Sequence, residues 1–184
     1  MEKRSNWTIT HSQVKYQNPW IQVIEHQVIK PDGHAGIYGV IDAGNNAGTV
    51  AIDEDLNVVL LDEFIFPFNS ITPQIPSGQF REEDPLDGAK RELLEETGIT
   101  AATWTPLGTF YLSGGISTQV GHLFLARDLS YGGCQLEETE ELSMRKVPLQ
   151  DAVDMCLSAE IKDSVSVVGI LRAAEYLRRQ GVLR

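Results

Sequence analysis

Arg91, Glu92, Glu95 and Glu96 stand together in the stretch R-E-L-L-E-E. On a helix of 3.6 residues per turn, positions 92, 95 and 96 fall at i, i+3 and i+4, so three carboxylates share one face. Like charges so placed destabilise a helix by about 0.2–0.5 kcal/mol per pair. These also sit in its C-terminal half, where the macrodipole disfavours negative charge. A solvated, glutamate-rich face would account for R-E-L-L-E-E taken alone. Hard oxygens converging on one point are also what Mg2+ or Mn2+ binds, with waters and substrate phosphates completing the shell. Arg91 can reach Glu95 one turn on and hold that carboxylate in orientation.

The helix that must carry these residues is well bounded. Asp84 is a good N-cap, Pro85 takes the first helical position, and Gly98 can adopt the left-handed conformation that closes a helix, which predicts a helix over 85–97. Leu86, Ala89 and Leu93 supply its inward stripe. Ahead of it, Ile75-Pro76-Ser77-Gly78 reads as a tight turn.

Two β-rich segments, WTITHSQVKY and WIQVIEHQVI, are divided by Gln17-Asn18-Pro19, and Pro31-Asp32-Gly33 marks a second turn. Further strands are expected at 35–41, 48–52, 58–64, 104–111, 122–126 and 144–147, the run VVLLDEF being apolar enough for a buried position. Helical patterns cover 149–158 and run from 164 or 165 to 179, the last with Leu171, Ala174 and Leu177 facing inward. This order gives an α+β sandwich, with an N-terminal β-rich extension over 1–34 and the main domain over 35–184.

Composition narrows the chemistry. A net charge of −11 makes a poor partner for nucleic acid and repels a free pyrophosphate, unless divalent cations stand between carboxylates and phosphates. No stretch approaches the ~20 apolar residues of a membrane span. The basic start MEKRSNWTIT has no apolar run behind it, which points away from a secretory signal. Cys134 and Cys156 form no paired motif, so a reduced, cytoplasmic setting is expected.

The stretch G-Q-F-R-E-E-D-P-L-D-G-A-K-R-E-L-L-E-E-T-G-I, residues 78–99, resembles the Nudix box G-x5-E-x7-R-E-U-x-E-E-x-G-U, in which U is aliphatic. From Glu83 onward the match is complete. At the front only four residues separate Gly78 from Glu83, and Ser77 has the spacing but not the glycine. The segment Phe110-Tyr111-Leu112-Ser113-Gly114-Gly115 and the tail A-E-I-K-D-S extend the likeness to the ADP-ribose pyrophosphatase-like branch. That resemblance implies a Nudix-type α/β/α sandwich with a mixed sheet, preceded by a small N-terminal β segment that is a candidate dimer-forming element. It further implies hydrolysis of a nucleoside diphosphate sugar to a nucleoside monophosphate and a sugar phosphate, with two or three Mg2+ or Mn2+ ions per site. Glu92, Glu95, Glu96 and the Ser77 carbonyl would be metal ligands, and Arg91, Glu92 and Glu95 belong to the catalytic set.

A second acidic cluster, Leu136-Glu137-Glu138-Thr139-Glu140-Glu141-Leu142, would ordinarily be solvated surface. Hydrolysis needs a base for the attacking water, and a loop is a suitable place for one. By analogy with the same branch, Glu138 is the expected base and Glu140 an added metal ligand, with Glu137 and Glu141 as competitors.

Other features carry less. His11, His26, His34 and His122 have no ligand spacing, and Ser113 and Ser117 lack a His–Asp partnership. Trp7 and Trp20 are expected to pack a core or a dimer seam. Ile65 and Gln74 stand where ADP-ribose enzymes often carry arginine and glutamate, which leaves a GDP-sugar or a dinucleotide as alternative substrates. A non-catalytic, nucleotide-sensing Nudix domain is the other alternative; its usual sign, loss of box glutamates, is absent.

Overall fold

Local turn chemistry sets the N-terminal strands. In the computed structural model, which describes residues 1–132 and 142–183, Asn18 Oδ1 accepts from the amides of Trp20 (2.9 Å) and Ile21 (2.8 Å), turning the chain between β2 (Trp7–Gln17) and β3 (Gln22–Ile29). At the next turn Gly33 takes φ +82°, and Asp32 accepts from the His34 amide. With β1 (Glu2–Arg4) and β4 (Ala35–Asp42), these strands form an antiparallel sheet in the order β1-β2-β3-β4. β4, which the sequence puts with the main domain, pairs with β3 along its whole length, from Gln22↔Asp42 to Ile29↔Ala35. The first compact unit accordingly runs over Met1–Asn45 and takes in Tyr111–Val120.

The second unit comprises Asn46–Phe110 and Gly121–Arg184. Its strands are β5 (Asn45–Ala51), β6 (Asn57–Ile65), β7 (Ser70–Gln74), β8 (Ser77–Phe80), β9 (Ile99–Tyr111), β10 (Val120–Tyr131) and β11 (Leu142–Pro148). Its helices are α1 (Pro85–Thr97), α2 (Leu149–Leu157) and α3 (Ser164–Arg179). One sheet runs β8-β5-β10-β9, with β5 and β10 parallel, and a second, antiparallel sheet runs β11-β6-β7. The α+β class with a mixed sheet agrees with the sequence.

Ala47, Val50, Ala51 and Val58–Leu61 are almost wholly buried, as expected of strands covered on both faces. The sequence does not single out β1, β7 or β8. All three are short, and β7 contains Pro73, which an edge strand tolerates because its missing N–H costs no ladder bond.

α1 begins and ends as its caps dictate. Asp84 accepts from the Leu86 amide at 2.9 Å, and Gly98, at φ 68°, donates to the Leu94 carbonyl at 2.8 Å. Leu93 lies in a cluster with Ala51, Val59, Ile99 and Ala126, while Leu86 is half-buried against Ala47, Phe80, Ala89 and Phe124. This packing fixes the direction of the neighbouring, polar face of α1, which carries the carboxylates. Leu93→Ala is expected to cost about 2–5 kcal/mol of unfolding free energy, measurable in a urea titration. In α3 the buried face is Val165, Ser166, Gly169, Ile170, Ala173, Ala174 and Leu177. Leu171, expected inward, is half-buried, because the stripe through 166, 170, 173 and 177 puts position 171 about 100° to one side.

Candidate active site

The polar face of α1 places its carboxylates beside the short strand that precedes it. β8 is tied down first: the Pro76 carbonyl accepts from the Thr49 amide at 2.9 Å, and Thr49 Oγ1 donates to the Ala89 carbonyl at 3.3 Å. β5 thereby touches both the turn and the helix. The Ser77 amide then donates to Glu96 Oε2 at 3.1 Å. Gly78 lies so close to Glu92 that a Cβ there would overlap its carboxyl group. The glycine is needed for this approach and not for a special φ.

Arg91 organises the rest. Its guanidinium reaches Glu83 at 2.7 Å, Glu92 at 2.8 Å and Glu95 at 3.0 Å, and also donates to the Gln79 carbonyl at 3.4 Å. The hydrogen bond that Arg91 donates to Glu83 foremost, then the carboxylates of Glu92 and Glu95, hold its pKa well above the ordinary range, while partial burial pulls the other way. It therefore stays cationic at any working pH. One guanidinium offsets the repulsion among three carboxylates and fixes their directions. The Glu92 side chain is only 13% exposed, so its charge is held largely away from bulk water.

Arg91, Glu92, Glu95, Glu96 and Ser77 are thus brought together. Glu137, Glu138, Glu140 and Glu141 lie outside the described residues. Sequence alone gives no role to Glu83, whose signal is its place eight positions before Arg91, with seven residues between, and does not show the close approach at Gly78. The donors are all hard oxygens, carboxylate and backbone, which suits Mg2+ or Mn2+ and suits no soft metal. Among the described residues no three acidic, histidine or cysteine side chains stand grouped as a formed metal site. Three of the carboxylates meet Arg91 and the fourth meets the Ser77 amide.

Several of the remaining polar candidates have structural partners. His26 Nδ1 and Ser12 Oγ are 2.7 Å apart, and His122 packs on Phe80, burial lowering its pKa against a smaller opposing pull from Asp84. Ser117 Oγ accepts from the Gln119 amide. Trp7 meets Tyr38 edge-on at 5.7 Å, whereas Trp20 is exposed. Gln74 donates to Glu63 at 2.7 Å and is buried. No helix among the described residues is long and apolar enough to cross a membrane.

Residues 7–41 match the model of the nucleoside diphosphate sugar hydrolase N-terminal domain, and residues 43–166 match that of the NUDIX domain. The chain is 29% identical to the ADP-ribose pyrophosphatase of Bacillus subtilis (strain 168), over 98% of this chain and 100% of that protein. It is 27% identical to the methanol dehydrogenase activator of Bacillus methanolicus, over 84% of this chain and 83% of the relative. A crystal structure of an ADP compounds hydrolase superposes with a TM-score of 0.86, covering 100% of both chains at 20% identity, a likeness of fold.

Proposed function

The chain belongs to the NUDIX family, and on that premise we propose that it hydrolyses the pyrophosphate bond of a nucleoside diphosphate sugar, ADP-ribose first among them, with divalent metal. The observation that carries this reading is the clustering of Glu83, Glu92 and Glu95 around Arg91, with Glu96 on the Ser77 amide. The full-length alignment with an ADP-ribose pyrophosphatase supports the choice of substrate, as does the match of 7–41 to a nucleoside diphosphate sugar hydrolase domain.

In this proposal Glu92, Glu95, Glu96 and the Ser77 carbonyl would hold Mg2+ or Mn2+, with Glu140 as an added ligand. When bound, such ions neutralise phosphate charge, polarise the phosphorus–oxygen bonds and make water more acidic. Arg91 keeps Glu92 and Glu95 directed and offsets their mutual repulsion. Glu138 takes the proton from the attacking water, whose oxygen bonds to one phosphorus in line. The bond from that phosphorus to the bridging oxygen breaks, and the bridging oxygen departs with the other phosphate. The products are a nucleoside monophosphate and a sugar phosphate. We further propose a homodimer in the reducing cytoplasm.

The test is a panel of ADP-ribose, NADH, GDP-sugars and other nucleotide sugars, read by phosphatase-coupled phosphate release with Mg2+ or Mn2+. ADP-ribose is expected to give the highest kcat/KM. EDTA is expected to abolish turnover, and added Mg2+ to restore it and to raise the melting temperature. Turnover unaffected by EDTA would remove the metal from the mechanism. A GDP-sugar or dinucleotide as best substrate would replace ADP-ribose, and no turnover with any of them would favour a nucleotide-sensing domain.

A further inference from the structure

The turn that presents Ser77 and Gly78 to the glutamates is held from behind by a residue far away in sequence. Ser166, in the first turn of α3, is fully buried, and its Oγ lies 3.0 Å from the amide nitrogen of Ile75. The same Oγ lies 2.7 Å from Asp163 Oδ2, the N-cap of α3, which also accepts from the Ser166 amide at 2.7 Å. Chemistry sets the direction of this relay. An ionised carboxylate only accepts, so the hydroxyl proton goes to Asp163 and an oxygen lone pair is left for the Ile75 N–H. Ile75 is itself buried, so no water can take over that amide.

Two close approaches lock the same joint. A Cβ at Gly169 would come within 2.9 Å of Ile75 Cδ1 and within 3.2 Å of Val50 Cγ2. α3 is thereby seated directly on Ile75, and rotation of the turn would have to displace a packed helix. Two residues beyond Ile75, the Ser77 amide holds Glu96, and one further on, the Gly78 backbone abuts Glu92. The hydrogen-bonded path from Asp163 through Ser166 to Ile75 thus ends beside two of the site's carboxylates.

We infer that Ser166, oriented by Asp163, is a positioning residue: it sets the height of the 75–78 turn against α1 and so the placement of Ser77 and Glu96. The inference rests on the catalytic reading of the α1 glutamates. Ser166 and Asp163 meet each other and the Ile75 amide, so their route to the site runs through the backbone of the turn.

Ser166→Ala is expected to lower kcat about 10–100-fold, since a displacement of about 1 Å can cost that much. KM should change less than about threefold, because ground-state binding is not what is lost. Hydrogen exchange in EDTA gives a readout independent of activity: the Ser77 amide should exchange several times faster in the variant. Asp163→Asn retains an acceptor for the Ser166 hydroxyl and should stay close to wild type. Ile170→Val, or Ile170→Ala if a larger loss of melting temperature must be matched, controls for simple weakening of α3 and should leave kcat and Ser77 protection in place. The inference is overturned if the matched Ile170 variant loses kcat equally, or if Ser166→Ala keeps both kcat and Ser77 protection. A wild-type protein inactive on the whole substrate panel would sink the catalytic reading, while exchange at Ser77 would still decide whether Ser166 holds the turn.

Discussion

Glu96→Gln is expected to cut turnover by about 10²–10⁴-fold, while the protein folds and melts nearly as wild type does. The two halves of that outcome have separate causes. Glutamine keeps a carbonyl oxygen where Glu96 Oε2 accepts from the Ser77 amide at 3.1 Å, so the turn need not move. What it removes is the negative charge and one hard anionic donor. Charge stabilisation by a bound divalent ion amounts to several kcal/mol in the transition state, and each 1.36 kcal/mol is a factor of ten in rate. The experiment is steady-state kinetics on the best panel substrate, with thermal melts in EDTA and in Mg2+. Loss of turnover should come with a smaller Mg2+-induced rise in melting temperature. Full activity in Glu96→Gln would exclude Glu96 as a ligand and shift the site toward Glu83, Glu92 and Glu95.

Much of this site was legible in the sequence because α1 is locally determined. Asp84, Pro85 and Gly98 fix its ends without help from distant residues, and the spacing of 92, 95 and 96 then follows from helix geometry. The salt bridge from Arg91 to Glu95 is likewise an i, i+4 consequence. Contacts that close over long loops were not legible. Ser166 meets Ile75 across 91 positions, and no local pattern announces a buried serine as a hydrogen-bond acceptor. In α3 Ala174 and Leu177 are buried as their spacing suggests, but Leu171 is only half-buried: Gly169 is the residue seated against Ile75 and Val50, and a hydrophobic pattern alone does not reveal that contact. The first sheet extends beyond residue 34 because β3 pairs with β4 through its full length, a tertiary fact that composition does not carry.

The shortened front of the box takes on a physical meaning here. By spacing, Gly78 stands one residue too close to Glu83, and the position at the box glycine's distance holds Ser77. The structure divides the work between them: Ser77 supplies its amide to Glu96, and Gly78 supplies the absence of a side chain to Glu92. One residue fewer before Glu83 still leaves Glu83 within 2.7 Å of Arg91.

Gly78→Ala is the sharper test of that division, because it is expected to separate activity from stability. Gly78 has no positive φ, so alanine introduces no backbone strain there, and such a replacement lowers unfolded-state entropy by the equivalent of about 0.4–1 kcal/mol. The new methyl would meet the far end of the Glu92 side chain, which can rotate away, and not backbone. The melting temperature should therefore stay within a few degrees of wild type. Glu92, however, must leave its place 2.8 Å from Arg91, carrying a proposed metal ligand out of register. A loss of about 10²-fold or more in kcat is expected from a displacement of that size. A double-mutant cycle identifies the cause: in a Glu92→Ala background the methyl has nothing to displace, so adding Gly78→Ala should cost almost nothing further. Equal losses from Gly78→Ala with and without Glu92 would show that the glycine serves the turn itself and not the carboxylate beside it.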